Sequence, residues 1–148
     1  MGLKEKIESE MISAAKAKDK LRLSAIRMIK TALHNKEIDM RRQMEDAEIV
    51  QVLSSLAKQR ADSIEQFKKG GRQDLVDKEE TELRIIKEFL PEEMSEQELE
   101  AEIESAIREL GATGVKDMGK VMKALMPKIT GKADGKVVSE KVKLKLSA

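Results

Sequence analysis

The sequence predicts an all-α protein, on three observations. Apolar residues recur at three- and four-residue spacing through almost all of the 148 positions. The helix breakers are few, eight Gly and two Pro, and all but Gly119 fall at the margins of the periodic runs. Only the C-terminal segment alternates like a strand, and no second segment offers it a pairing partner.

Leu3, Ile7, Met11 and Ala15 form the stripe of a first helix. Asp19 is placed to cap a second, running to about Met40 with Leu23, Ile26, Ile29 and Leu33 inward. Asp46 begins a third, whose apolar face is Ile49, Val52, Leu53, Leu56, Ile64 and Phe67. Lys68 and Lys69 suit the negative end of its dipole, and Gly70-Gly71 stops it, one glycine taking the left-handed cap. A fourth helix is expected from about Gln73 to Phe89, burying Leu75, Leu83, Ile86 and Phe89 and ended by Pro91. Ser95-Glu96-Gln97-Glu98 is a capping box with Met94 and Leu99 at staple positions, and it opens a fifth helix carrying Ile103, Ala106, Ile107 and Leu110. Gly111 and Gly114 mark a turn. A sixth helix is expected over roughly Lys116 to Met126, stopped by Pro127, then a basic loop over 128–136. From Val137 to Leu146, Val142, Leu144 and Leu146 alternate with lysines as in a strand, whereas Val138, Val142 and Leu146 fit a helix. Helix is the reading adopted. The domain boundary is expected near Pro91, giving a helical N-terminal domain of about four helices (1–91) and a three-helix C-terminal domain (92–148).

Composition narrows the functional classes. Apolar residues make up 40% and charged residues 39% of the chain, too apolar for a disordered segment and too charged for a membrane protein. No run reaches 18 apolar residues, and the N-terminus mixes Lys and Glu where a signal peptide would be apolar. Neither a membrane partner nor DNA is expected, and the expected location is cytoplasmic. There is no Cys, which excludes disulfides and thiolate metal sites. With one His, no Trp, no Tyr and two Phe, the chain lacks an aromatic platform for single strands and the means for a His-based triad. No metal, cofactor or catalytic residue is expected. The net charge of +1 conceals a split: residues 1–110 hold 20 Lys/Arg against 25 Asp/Glu, and residues 111–148 hold nine Lys against three acids.

Several residues stand out against this background. Arg60 sits on the third helix's apolar stripe, and Glu79 and Glu82 on that of the fourth. Charges there require partners, so an Arg–carboxylate bridge between the helices is favoured over a substrate-binding site. His34, beside Asn35 and Lys36, reads as solvated. Gly70-Gly71-Arg72 lacks the flanks of a phosphate loop and reads as a helix-ending turn. Lys116, Lys120 and Lys123 are spaced to share one helix face, and Lys128, Lys132 and Lys136 extend the positive charge. Such lysines contact phosphates without reading sequence; the competing reading is an ordinary solvated face. Gly119, costly inside a helix by about 1 kcal/mol relative to Ala, suggests close approach of another backbone, from a neighbouring helix or an RNA strand.

Lys58-Gln59-Arg60, Gly70-Gly71-Arg72-Gln73-Asp74-Leu75, Leu90-Pro91, Asp117-Met118-Gly119-Lys120-Val121-Met122 and Gly131-Lys132-Ala133-Asp134-Gly135 together resemble the GatB/YqeY family across essentially the whole chain. The resemblance relates the C-terminal domain to the tail of GatB, a subunit of the glutamine-dependent tRNA amidotransferase, where the tail faces the tRNA elbow. It implies an all-α, two-part fold and tRNA as partner, with amidotransferase subunits or an aminoacyl-tRNA synthetase as further partners. The catalytic cradle and glutaminase of that enzyme have no counterpart here, so the isolated chain is expected not to catalyse.

Three functions therefore compete. One is a tRNA-binding, translation-associated accessory module. Another is a module docking on an amidotransferase or synthetase. The third is carbon–nitrogen ligase activity, with glutamine as amide donor, within a complex. The lysine face favours the first over the second.

Overall fold

The computed structural model of the chain describes residues 2–147. Among these residues there are seven α-helices and no strand: α1 (Leu3–Lys16), α2 (Lys20–Met40), α3 (Asp46–Lys69), α4 (Gln73–Glu88), α5 (Glu96–Leu110), α6 (Met118–Ile129) and α7 (Gly135–Ser147), with a 3-10 turn at Val115–Asp117. The chain divides into two compact units, Met1–Leu90 and Pro91–Ala148.

In the first unit α3 and α4 form a long hairpin, α1 pairs with α2, and α2 also packs on α3 and α4. Ile7, Ile26, Ile29, Ile49, Leu53 and Ile86 form the centre of its core, each at most 2% exposed. Burying each such side chain contributes about 1.5–3 kcal/mol, which makes this core the main source of the unit's stability. The buried stripe of α1 is Ile7 and Ala14, seven residues apart; Ala15 is exposed. On α4 the buried set is Val76, Ile85 and Ile86 with Phe89 just beyond, whereas Leu75 and Leu83 are half-buried. Phe89 is the residue that caps α4, not part of it. Asp19 caps α2 by accepting from the Arg22 amide at 3.1 Å.

The turn after α3 shows why two glycines stand there. Gly70 keeps ordinary helical backbone, whereas Gly71 is left-handed at φ 69°. The Arg72 amide donates to the Phe67 carbonyl at 2.9 Å, closing the six-residue cap that requires this conformation.

In the second unit α5, α6 and α7 pack around Leu99, Ile103, Val121, Leu125, Ile129, Val138 and Val142. The Ser95 hydroxyl accepts from the Glu98 amide at 3.1 Å, and the Glu98 carboxylate accepts from the Ser95 amide at 3.3 Å. Leu110, at the last turn of α5, is 47% exposed, so the stripe ends at Ile107.

Three further sequence expectations fail in this unit. Pro127 does not stop α6, which continues to Ile129. Proline removes one backbone donor, but Val121, Leu125 and Ile129 at four-residue spacing are each at most 1% exposed. That ridge is buried only if the helix continues, and the Thr130 hydroxyl donates to the Met126 carbonyl beside the interruption. Lys116 lies in the 3-10 turn, outside α6. The expected loop over 128–136 shrinks because Lys128 and Ile129 belong to α6 and Gly135 begins α7. The C-terminal segment is helical, with Val138, Val142 and Leu146 buried and Leu144 72% exposed.

Candidate nucleic-acid interface

The burial pattern of α6 decides where its lysines point. Val121, Leu125 and Ile129 face the core, so Lys120 and Lys123, three residues apart, share the outward surface. Lys116 is exposed as well, but the 3-10 turn takes it out of the α6 register. Lys132 lies in the α6–α7 turn, held by its carbonyl, which accepts from the Met94 amide at 2.8 Å. Lys136 is in the first turn of α7, its amide donating to the Asp134 carboxylate at 3.0 Å. Both side chains are exposed.

Lys128 differs from the other five. Its ammonium lies 3.6 Å from Glu102 of α5. The same arrangement continues along α7: Lys141 is 2.9 Å from Glu96 and 3.7 Å from Glu100, and Lys145 is 2.9 Å from Glu104. Glu96, Glu100 and Glu104 are four residues apart, as are Lys141 and Lys145, so each ladder lies on one face of its helix. The Lys141 ammonium lowers the Glu96 carboxyl below its ordinary value, Lys145 does the same to Glu104, and Lys141 is raised in return by Glu96. Among the described residues Lys116, Lys120, Lys123, Lys132, Lys136 and Lys143 have no ion pair. Lys143, seven residues after Lys136, is the member that the sequence reading missed; the spacing alone was the available signal.

One carboxylate stands within the lysine surface. Asp117 accepts from the Thr113 amide at 3.0 Å. That hydrogen bond, aided by the Gly114 amide and by Lys120 and Lys116, holds it below the ordinary aspartate range. Gly119 is exposed, and a side-chain carbon built there would meet nothing within 4 Å. No neighbouring helix in the unit accounts for this glycine.

In the first unit Arg60 lies with its Nε 2.8 Å from Glu82 and 3.4 Å from Glu79 across the α3–α4 pair. Its Nη2 donates to the Met28 sulfur at 3.2 Å. The three charged side chains are about one-fifth exposed. The Nε–H aligns with neither carboxylate, so the attraction is ionic without a well-directed hydrogen bond. An open groove of about 420 Å³ runs between α2 and α3, lined by Lys36, Met40, Met44, Glu48, Gln51, Val52 and Ser55. Glu48 in its wall is committed to Arg42, which with the Glu45 amide lowers its carboxyl to about 2. His34 is exposed. No group of three or more His, Cys, Asp or Glu among the described residues is placed to hold a metal ion.

Comparison with known proteins places this architecture. The family described as Yqey-like protein matches residues 4–146. A curated relative from Lachancea thermotolerans, "Altered inheritance of mitochondria protein 41, mitochondrial", is 39% identical over 107 residues, covering 70% of this chain and 57% of its own. The protein of the same name from Vanderwaltozyma polyspora is 33% identical over 125 residues, covering 80% and 65%. A third, from Pyrenophora tritici-repentis, is 28% identical over 140 residues, covering 93% and 77%. The chain thus spans less than two thirds of the first two relatives. Their names place these relatives in mitochondria, which overturns the expectation of a cytoplasmic protein. A match that runs through both helical units, from α1 to the last turn of α7, establishes that the chain belongs to the YqeY-like family.

Proposed function

We propose that this chain is a non-catalytic accessory module that binds folded tRNA through the lysine surface of its C-terminal unit, in the service of translation or of a tRNA-modifying amidotransferase. The observation that carries the reading is the set of exposed lysines without ion pairs on the 3-10 turn, α6, the following turn and α7. Ammonium groups held close to a carboxylate must give up that contact to meet a phosphate, whereas these have none so close, Lys116 and Lys120 having only the longer-range attraction of Asp117. No aromatic residue occurs after Phe89, so unstacked bases find no ring to stack on. The chemistry favours phosphate contacts on structured RNA, recognised by shape.

The test is direct binding of purified chain to unfractionated tRNA at low salt, with Lys116, Lys120 and Lys123 all changed to Glu in the comparison protein. Binding by the wild type and its loss in the triple variant, with helicity unchanged, is the expected result. Absence of wild-type binding, or equal binding by the variant, refutes the reading.

A second reading, docking on an amidotransferase subunit or a synthetase, is favoured by a different observation. Val137 and Leu144, seven residues apart on α7, are 42% and 72% exposed on the side away from the core. RNA backbone gives such side chains nothing to pack against, whereas a protein surface does. Capture of a defined amidotransferase subunit that depends on Leu144, without RNA binding, is the result that would favour it.

A further inference from the structure

The nine lysines of residues 111–148 do not form one population. Lys128, Lys141 and Lys145 are turned towards the carboxylates of α5. The other six are exposed without an ion pair, and they belong to the 3-10 turn, α6, the α6–α7 turn and α7. A turn of only five residues separates α6 from α7, and the two helices pack together, so they run antiparallel. Lys136 therefore lies near the C-terminal end of α6. Lys143, two turns further along the same face of α7, is carried towards the other end. The 3-10 turn bearing Lys116 contacts α7 as well as α6. Lys120 and Lys123 are thus carried on the exposed surface of α6 and Lys136 and Lys143 on that of α7, with Lys116 on the 3-10 turn that contacts both helices.

The opposite side of the unit has the opposite sign. Residues 91–110 carry one Arg against eight Asp/Glu, and that Arg, Arg108, is exposed on α5. With the lysines that lack close carboxylates on α6 and α7, and with Glu96, Glu100, Glu102 and Glu104 of α5 engaged by Lys141, Lys145 and Lys128, the α6–α7 side is the one that attracts a polyanion more strongly.

We infer that the α6–α7 hairpin, with Lys143 as a binding residue and Lys128 excluded, is the face that receives an RNA phosphate backbone, α5 being turned away from it. The inference rests on the RNA-binding reading and adds to it which lysines act and how the unit is oriented. Neither Lys143 nor Arg108 has a carboxylate within ion-pair distance, Arg108 acting on Glu104 only at longer range, so either charge can be reversed without breaking a close contact.

Those two residues supply a matched experiment. Lys143→Glu and Arg108→Glu change the net charge of the chain equally, on opposite sides of the unit. Binding of unfractionated tRNA is measured for both, alongside Lys128→Gln and the wild type, with circular dichroism melts as the folding control. Lys143→Glu is expected to weaken binding by at least about fivefold and to reduce the log–log salt slope by about one. Arg108→Glu and Lys128→Gln are expected to stay within about twofold of the wild type. Equal effects of Lys143→Glu and Arg108→Glu, or a loss confined to Lys128→Gln, overturn the orientation while leaving RNA binding in place. A wild type that binds no tRNA at low salt overturns both. If it instead binds an acidic polypeptide such as polyglutamate through the same lysines, the partner is protein and the inference falls.

Discussion

Arg60 sets one guanidinium against two carboxylates, Glu79 and Glu82, in a region about one-fifth exposed. Removing it would leave two like charges facing each other with no counterion. A fully buried pair broken in this way costs ~3–5 kcal/mol, and solvent access lowers the figure here. Arg60→Ala is expected to destabilise the N-terminal unit by about 1–3 kcal/mol, and Glu82→Gln by less, because Glu79 would then hold Arg60 alone. Thermal melts of the two variants check both the size and the order. Coincidence of the Arg60→Ala melt with the wild type would contradict the pairing. Three residues on two helix stripes made this contact readable in the sequence, since unpaired charges do not survive there. The state of each lysine was not readable. Lys128 and Lys143 look alike along the chain, and only the carboxylate of Glu102 across the unit separates them.

Helical elements were legible wherever periodicity and caps agreed, as at Ser95–Glu98 and at Asp19. They were misread where a local rule met a tertiary demand. Pro127 signals a stop, yet the burial of Ile129 carries α6 past it. On α4 Ile86 and Phe89 are buried as the spacing predicts, whereas Val76 and Ile85 take the places expected for Leu75 and Leu83, because neighbouring apolar residues offer more than one choice and only packing selects between them. Since α6 tolerates proline rather than exploiting it, Pro127→Ala should restore the missing donor. A gain of up to about 3 kcal/mol in stability is expected, read from the melting transition of the C-terminal unit. A loss would show that the ring makes contacts the helix requires. The α5–α7 ladder gives an element-level pH dependence. Glu96 and Glu104 are lowered in the folded chain, so their contribution is complete above the ordinary carboxylate pKa and disappears as pH falls through the lowered values. A Glu96→Gln, Glu104→Gln variant should melt below the wild type at pH 7 and converge with it once the pH has fallen through the lowered carboxyl values. A constant gap across that range would mean that the ladder's electrostatics do not support the fold.

At the scale of the whole chain, a net charge of +1 describes neither face of the C-terminal unit. Residues 91–110 hold eight carboxylates and residues 111–148 nine lysines, and three of those lysines are consumed in holding α5 against α6 and α7. What remains is a positive surface made by incomplete neutralisation. The excess of positive charge was visible in the sequence; its division into structural and available lysines was not, because it depends on which helices pack together. The central claim is that the available lysines bind tRNA phosphates, and the salt dependence of tRNA affinity tests it most directly. With about five phosphate contacts, log affinity should fall with log salt at a slope of about −4, and the Lys116, Lys120 and Lys123 triple charge reversal should flatten that slope by about 2–3. A wild type whose tRNA affinity is undetectable, or independent of salt, would contradict it.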